Sequence, residues 1–435
     1  MKFSPSKFSI LLILIITTWV SSNLNWGKNK WTDIIESDGK GYYAYLPAIF
    51  IYNDLNFGFF DSIEKEKYYN PNLFYDYRSG ANGKSINKYY CGTALAELPF
   101  FLIAHNLSPY FKCEQDGYTK LYPILINIAA IFYLLIGVFF LNKTLTIYQI
   151  GEWQKSLTLF AAVFGTNLFY YVISEPGMSH AYSFTFVSAF IFYTKKYIST
   201  FEKKFLFAIA ASYGMIVLVR PVNGLILFAI FFLAENFSQL KKIFTQFLKS
   251  KVYFLFSILI FLSIIFIQLL IYKISTGNFF IYSYGDEKFN FFHPHFFDIL
   301  FSYKKGLFLY TPMYFISLAG LLFLWKCSKF EFYSWLGFFI LITYIFSSWW
   351  MWFYGGSFSS RVYVDYIPLF MILLGISLNR IKLKKLKTIF VSAIVILIMI
   401  CQIQTYQYRY YQIHWADMTK EKYWNTFLRI DKLIK

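Results

Sequence analysis

Residues 121–141, LYPILINIAAIFYLLIGVFFL, contain no charged side chain. A helix needs roughly 20 apolar residues to cross the hydrocarbon core of a bilayer, and this stretch is long enough to do so. The core offers no water to the backbone, and a continuous apolar run without strict alternation favours a helix over a barrel strand. The chain is therefore predicted to be an all-α integral membrane protein. Comparable runs recur at 252–272, 306–324, 332–348, 364–379 and 388–404.

The amino-acid composition supports the same class. Hydrophobic residues make up 57% of the 435 residues and charged residues 15%, whereas a soluble domain carries about a quarter charged residues. The net charge is +18, from 41 Lys and Arg against 23 Asp and Glu. The basic residues fall in short clusters between apolar runs, as in loops between membrane-spanning helices. This distribution argues against nucleic acid as a partner.

Basic clusters also predict which side of the membrane each loop occupies. Loops rich in Lys and Arg stay in the cytoplasm, and such clusters lie at 195–204, 241–251, 326–329 and 380–387. Keeping all of them inside gives about eleven crossings, with the N-terminus inside and the C-terminus outside. The first crossing is interpreted as an anchoring helix, with a cleaved signal peptide as the alternative. The predicted crossings are 8–22, 121–141, 155–172, 178–194, 205–219, 221–234, 252–273, 306–324, 332–348, 364–379 and 388–404.

A long external loop is expected between the first two crossings. Within it, residues 93–111 are apolar, but Glu97, Pro99 and His105 make them a poor spanning helix. A crossing there would also place every later basic cluster outside, so we expect an interfacial helix. The predicted organisation is a first transmembrane helix (1–22), an external loop with interfacial helices (23–120), a multi-helix membrane domain (121–404) and an external C-terminal tail (405–435).

Polar residues that are unusual for a membrane protein concentrate on the predicted outer side. All five histidines fall there, whereas the cytoplasmic loops carry little beyond lysine. The four cysteines are scattered, and only Cys91 and Cys113 share a region where a disulfide is possible. No CxxC or His/Cys cluster indicates zinc, and His293 with His295 forms only an isolated pair. We therefore expect function on the outer face.

Three local motifs carry candidate chemistry on that face. In SDGKGYYAYLP (37–47), Asp38 places a carboxylate at the membrane boundary, or belongs to an ordinary turn before an aromatic belt. In SYKKGLFLYTP (302–312), Lys304 and Lys305 at a helix start suit an anion, or extend towards lipid headgroups. In WWMWFYGGSFSSR (349–361), aromatic rings and Arg361 suit a sugar and a phosphate, or form an interfacial anchor.

Arg220 is a further candidate because of its position. It lies between the short apolar runs 205–219 and 221–234, directly before Pro221. An arginine near the hydrocarbon core is costly without a partner, so we expect it in a cavity close to the outer membrane boundary.

These features occur in a distinctive order along the chain. An acid in the first external loop, an interfacial segment, an Arg-Pro pair between mid-chain helices, a KGLFLYTP helix start and a WFYGGSFSSR loop follow one another. Together they resemble the GT-C class of membrane glycosyltransferases, of the protein O-mannosyltransferase and aminoarabinose transferase type. The tail HWADMTKEKYW (414–424) is similar to that of uncharacterised bacterial members. The resemblance spans most of the chain through short motifs.

The resemblance implies transfer of a sugar from a polyprenyl-phosphate donor to a glycan, lipid or protein acceptor at the outer face of the cytoplasmic membrane. Asp38 matches the first-loop acid, which acts as general base or orients the acceptor hydroxyl. Many relatives carry a second acid where Gly39 stands here, which leaves a divalent metal open. The candidates for that second acid are Glu36, Asp286 and Glu287. The candidates for holding the donor phosphate are Arg220, Lys304, Lys305 and Arg361. The candidates for contact with sugar or lipid are Tyr42, Tyr43, Tyr310, Trp349 and Trp350.

Two other functions are compatible with a multi-pass membrane protein. A transporter or flippase for a lipid-linked or anionic solute needs ionisable residues at mid-membrane and at the inner mouth. A non-catalytic scaffold needs none of the outward His, Arg and Trp residues. The concentration of ionisable residues on one face favours the enzyme over both.

Overall fold

The computed structural model describes residues 4–71, 74–81 and 83–432, and most of them are helical. The α-helices are α1 (Pro5–Asn25), α2 (Asp38–Phe50), α3 (Phe59–Ser62), α4 (Gly92–Leu107), α5 (Leu121–Ile147), α6 (Glu152–Phe164), α7 (Leu168–Ile173), α8 (His180–Thr200), α9 (Lys204–Val219), α10 (Ile230–Leu233), α11 (Phe237–Lys249), α12 (Lys251–Thr276), α13 (Phe296–Phe301), α14 (Leu307–Tyr310), α15 (Met313–Ser317), α16 (Ala319–Cys327), α17 (Lys329–Ser347), α18 (Ile367–Arg380), α19 (Lys384–Arg409) and α20 (Lys420–Thr426).

Shorter elements complete the chain. A π-helical turn covers Ile63–Lys67, and an antiparallel hairpin joins strands β1 (Arg78–Ala81) and β2 (Lys84–Asn87), with Arg78 opposite Asn87. Both lie in the region predicted as the external loop. The 3-10 helices are Lys30–Asp33, Ser108–Phe111, Pro221–Ala229, Arg361–Tyr366 and Ile430–Lys432.

Long apolar helices confirm a multi-pass helical membrane protein. Among the described residues, six helices are long and apolar enough to cross a bilayer, or seven if the bent pair Pro221–Leu233 and Phe237–Lys249 is one span. The helix Arg361–Arg380 is central, with 89% of its apolar window buried, whereas Lys384–Arg409 at 11% lies at the periphery. The six are Pro5–Asn25, Leu121–Ile147, Lys251–Thr276, Lys329–Ser347, Arg361–Arg380 and Lys384–Arg409.

The other predicted crossings fall on shorter or interrupted helices. The run 155–172 contains two helices, α6 and α7, and the run 306–324 contains α14, α15 and α16 with Pro312 at a break. Proline lacks a backbone donor and interrupts a helix. The run 221–234 begins as a 3-10 helix, and the chain turns by 118° before α11. The number of eleven crossings therefore stays a prediction.

The helices pack as one bundle around α8. It contacts α5 on one side and α9 on the other, and α9 in turn contacts α12. α1 packs against α5 and α6, and its last residue, Asn25, donates a hydrogen bond to the carbonyl of Ile173. The segment 93–111, predicted to be interfacial, forms α4, which packs against α2 and α5. Cys91 and Cys113 are free thiols, so the possible disulfide does not form.

Candidate active site

A cavity of about 1220 Å³ lies where several helices end. Its wall is built from the start of α2, the turn after α7, the residues after α9, the segment 281–289, the loop 349–361 and the end of α19 with the tail that follows. These segments are far apart in the sequence. The bundle therefore gathers Asp38, Glu175, Arg220 and Arg361 at one place.

The start of α2 brings Asp38 to the cavity. Asp38 is the first residue of the helix, where a carboxylate interacts favourably with the helix dipole. Gly39 allows a close approach of the turn after α7, because a Cβ atom at Gly39 would lie 3.3 Å from the carbonyl carbon of Gly177. The same turn carries Glu175. A side chain at position 39 would therefore crowd the turn that carries Glu175.

Asp38 is held by Arg361, the first residue of the 3-10 turn that leads into α18. Arg361 Nη2 donates to Asp38 Oδ2 over 2.7 Å. Burial alone would raise the pKa of Asp38, but the charge and hydrogen bond of Arg361 outweigh it, and this pKa lies below its ordinary value. Arg361 Nε is buried and has no hydrogen-bond partner in the described part of the chain. It is a donor in need of an acceptor.

Arg220 lines the same cavity and is supported from behind. Its backbone is extended, as expected for a residue before proline. Arg220 Nη1 lies 3.6 Å from Asp365 Oδ2, and Asn223 Nδ2 donates to the same oxygen over 2.6 Å. His180 Nδ1 lies 3.1 Å from the other oxygen, Asp365 Oδ1. Asp365 is fully buried, so this cluster fixes the guanidinium group of Arg220 at the cavity wall.

Two carboxyl groups that line the cavity, Glu36 and Glu175, have raised pKa values. Burial, together with the charges of Glu175 and Asp33, raises the pKa of Glu36 to about 8. Burial and the charge of Asp38 raise the pKa of Glu175 to about 7, although a hydrogen bond from Tyr170 lowers it. The cavity thus contains an ionised carboxylate, Asp38, and carboxyl groups that exchange protons near neutral pH.

The C-terminal part of the chain closes one side of the cavity. Arg409, at the end of α19, donates to Ser174 Oγ over 2.7 Å and to Asn25 Oδ1 over 2.9 Å. It thereby joins α19 to the end of α1 and to the turn that carries Glu175. Sequence reasoning did not single out Arg409 or Glu175 as site residues. The signals available for them were an isolated arginine after a long apolar run and a Glu-Pro pair in a predicted outer loop.

The predicted site residues divide into those that line the cavity and those that do not. The residues that line it are Glu36, Asp38, Tyr42, Arg220, Glu287, Trp349, Trp350 and Arg361. Glu287 is paired with Lys88, and Trp349 packs against Phe289. The residues that do not line it are Tyr43, Asp286, Lys304, Lys305 and Tyr310.

The residues outside the cavity wall have other contacts. Tyr43 donates to the carbonyl of Gly117, and Tyr310 donates to the carbonyl of Tyr303. Lys304 lies over the ring of Phe353, whereas the buried Lys305 donates to the carbonyl of Ser357. Burial lowers the pKa of Lys305 to about 7. Asp286 is exposed. Lys305 therefore supports the Gly-Gly-Ser loop from behind, and nothing here places these five residues on a substrate.

Among the described residues, side chains that could ligate a metal are scattered or already paired. In the described part of the chain, no three His, Cys, Asp or Glu side chains come together as metal ligands. Asp38 is already paired with Arg361, and exposed His295 is paired with Asp298.

No family model matches the chain, and no curated protein matches it either.

Proposed function

We propose that this protein is a membrane glycosyltransferase that takes a sugar from a polyprenyl-phosphate donor and transfers it to an acceptor at the outer face of the cytoplasmic membrane. The observation that carries the proposal is the buried Nε of Arg361, which has no partner among the described residues, beside Arg220 and Asp38 in one cavity. Guanidinium groups suit the departing phosphate, because they bind its oxygens through several parallel donors. A carboxylate next to them suits the acceptor hydroxyl.

An apolar groove leads away from this cavity. It has a volume of about 420 Å³ and shares Pro221, Val222 and Phe289 with the cavity wall. Further along, it is lined by half-exposed aromatic residues such as Phe228 and Phe291. A polar cavity that continues into an apolar groove matches a ligand with a phosphate head and a hydrocarbon chain. This shape favours a lipid-linked donor over a soluble nucleotide sugar.

The direction of the helices supports an outer location of the cavity. α9 begins in the lysine cluster 195–204 and ends beside Arg220, and α19 begins in the cluster 380–387 and ends at Arg409. The cavity therefore lies at the helix ends opposite the basic clusters, which stay in the cytoplasm. We include in the proposal about eleven crossings, an inner N-terminus and an outer C-terminus, with the shorter helices supplying the crossings beyond the long ones.

The proposal is tested by mass spectrometry of surface glycans, glycolipids and polyprenyl lipids in the organism that encodes the protein. The strains are wild type, a deletion, and the deletion complemented with wild-type protein or with Asp38→Asn at equal expression. The deletion and the Asp38→Asn strain should lack the same sugar mass and accumulate the same unused donor lipid. A deletion with unchanged glycans and unchanged donor lipid contradicts the proposal. Normal transfer in the Asp38→Asn strain removes Asp38 from the mechanism.

A further inference from the structure

Glu175 has one carboxylate oxygen that is satisfied and one that is not. Tyr170 donates its hydroxyl to Glu175 Oε1 over 2.8 Å. Oε2 is buried and has no hydrogen-bond partner among the residues that the structure describes. The side chain is 7% exposed and lines the cavity. A buried acceptor without a donor is unfavourable, so Oε2 is suited to accept a hydrogen bond from a ligand with an O–H or N–H group.

Asp38, in contrast, is poorly suited to remove a proton. Its Oδ2 accepts a hydrogen bond from the guanidinium group of Arg361. The resulting low pKa makes Asp38 a weak base, whereas a general base works best when its pKa is near the working pH. Asp38 is therefore better placed to orient an acceptor hydroxyl and to hold Arg361 than to take the proton.

We propose that Glu175 is the general base of the transfer reaction and that its Oε2 binds the hydroxyl group of the acceptor. This inference rests on the proposed function. The acceptor O–H bond breaks and its proton goes to Glu175 Oε2. The acceptor oxygen forms a bond to the anomeric carbon of the sugar. The bond from that carbon to the phosphate oxygen breaks, and its electron pair leaves with the polyprenyl phosphate, next to Arg361 and Arg220.

The surroundings of Glu175 suit this role. Its pKa of about 7 makes both the base form and the acid form available near neutral pH. Burial is the main cause that raises this pKa, while the hydrogen bond from Tyr170 and the charge of Arg361 lower it. The titratable and charged groups that face Glu175 are Glu36, Asp38, Tyr170, Tyr171, Lys305, Arg361, Tyr408 and Tyr411.

The first test compares the pH dependence of transfer in the wild type, Glu175→Gln and Tyr170→Phe. The assay uses purified full-length protein and membranes of the deletion strain, which retain unused donor and acceptor. The wild-type rate should rise with an inflection near pH 7. Glu175→Gln should transfer at least about 100-fold more slowly, and its rate should show no inflection near pH 7. Tyr170→Phe removes the hydrogen bond that lowers the Glu175 pKa, so its inflection should move to higher pH.

A binding measurement separates loss of chemistry from loss of folding. Glu175→Gln should bind polyprenyl phosphate in nanodiscs within about twofold of the wild type, because the phosphate contacts belong to the arginines. If Glu175→Gln keeps the wild-type rate, or if Tyr170→Phe leaves the inflection unchanged, Glu175 is not the base and the transferase proposal still stands. If the wild type transfers nothing from these membranes, the proposed function fails and this assignment fails with it.

Discussion

Arg361 and Asp38 are 323 positions apart in the chain and form an ion pair in which Arg361 Nη2 lies 2.7 Å from Asp38 Oδ2. The pair joins the start of α2 to the turn before α18, the most deeply buried of the long helices. Arg361 Nε remains without a partner in the described part of the chain. The contact thus fixes the position of both groups.

The carboxylates Asp38 and Glu36 should differ in their importance. Asp38→Asn removes the negative charge that holds Arg361, so transfer should fall at least about 100-fold. Glu36→Gln removes no contact of Arg361 and should lower the rate of transfer by less than about tenfold. Both variants should remain in the membrane at wild-type levels, as checked by quantitative immunoblots of membrane fractions. Equal losses in the two variants would contradict the central role of the Asp38–Arg361 pair.

Arg361→Lys should weaken binding of the donor phosphate. Lysine keeps the charge but loses the planar set of donors, so we expect about tenfold weaker binding of polyprenyl phosphate in nanodiscs. Arg380→Lys is the matched control, because Arg380 is exposed at the far end of the same helix. Its affinity should equal that of the wild type. A similar affinity of all three proteins would show that Arg361 does not contact the phosphate.

The apolar groove should distinguish long from short lipid phosphates. Phe228 lines the groove and is 49% exposed, whereas Phe231, on the following helix, does not line it. Phe228→Ser should weaken binding of polyprenyl phosphate about tenfold, which corresponds to partial loss of one buried aromatic contact. Butyl phosphate should bind equally to both proteins, and Phe231→Ser should resemble the wild type. Loss of butyl phosphate binding in Phe228→Ser would indicate a distorted cavity.

Glycine is required where α2 approaches its neighbours. A Cβ atom at Gly41 would lie 2.4 Å from the ring of Tyr89, so Gly41→Ala should destabilise the protein by about 1–3 kcal/mol. Gly337, within α17, has open space around it and serves as the control. Gly337→Ala should be neutral or stabilising, since alanine favours a helix over glycine. Thermal unfolding in detergent measures both. An unchanged unfolding temperature for Gly41→Ala would contradict the close packing described for α2.

The raised pKa values also predict a dependence of stability on pH. Glu36 has a folded pKa of about 8 against an ordinary value of 4.5, so the folded protein binds the proton more tightly than the unfolded chain. Its contribution to stability is therefore fully present below pH 4.5 and is lost as the pH rises towards 8. The unfolding temperature should therefore fall as the pH rises from 4.5 to 8. Glu36→Gln should reduce this fall, whereas Glu421→Gln, at an exposed site, should not. An identical fall in the Glu36→Gln protein would contradict the raised pKa of Glu36.

Sequence reasoning identified the membrane class and several residues that line the cavity, because apolar length and isolated charges are local signals. It did not identify the pairing of Asp38 with Arg361, since a contact over 323 positions depends on the packing of the whole bundle. The sequence also did not show which of two neighbouring residues would line the cavity. Tyr42 lines the cavity but Tyr43 faces Gly117, as successive residues of a helix point in different directions. Lys305 was predicted to hold the donor phosphate. In the structure it donates to the carbonyl of Ser357 and supports the Gly-Gly-Ser loop.

Glu175 shows a second limit of local reasoning. Its sequence neighbourhood, a glutamate before a proline, is typical of an ordinary loop. Its surroundings become unusual only because Gly39 and Gly177 let two segments approach closely. The break in the predicted crossing 306–324 is local instead, because Pro312 interrupts the helix.

The most direct test of the central claim follows the donor lipid itself. Purified protein is added to membranes of the deletion strain, and mass spectrometry follows conversion of the sugar-linked polyprenyl phosphate to free polyprenyl phosphate, together with the gain of the sugar mass on an acceptor. The account predicts both changes with the wild type and neither with Asp38→Asn. Acceptor glycosylation without consumption of the lipid donor, or full conversion by Asp38→Asn, would contradict it.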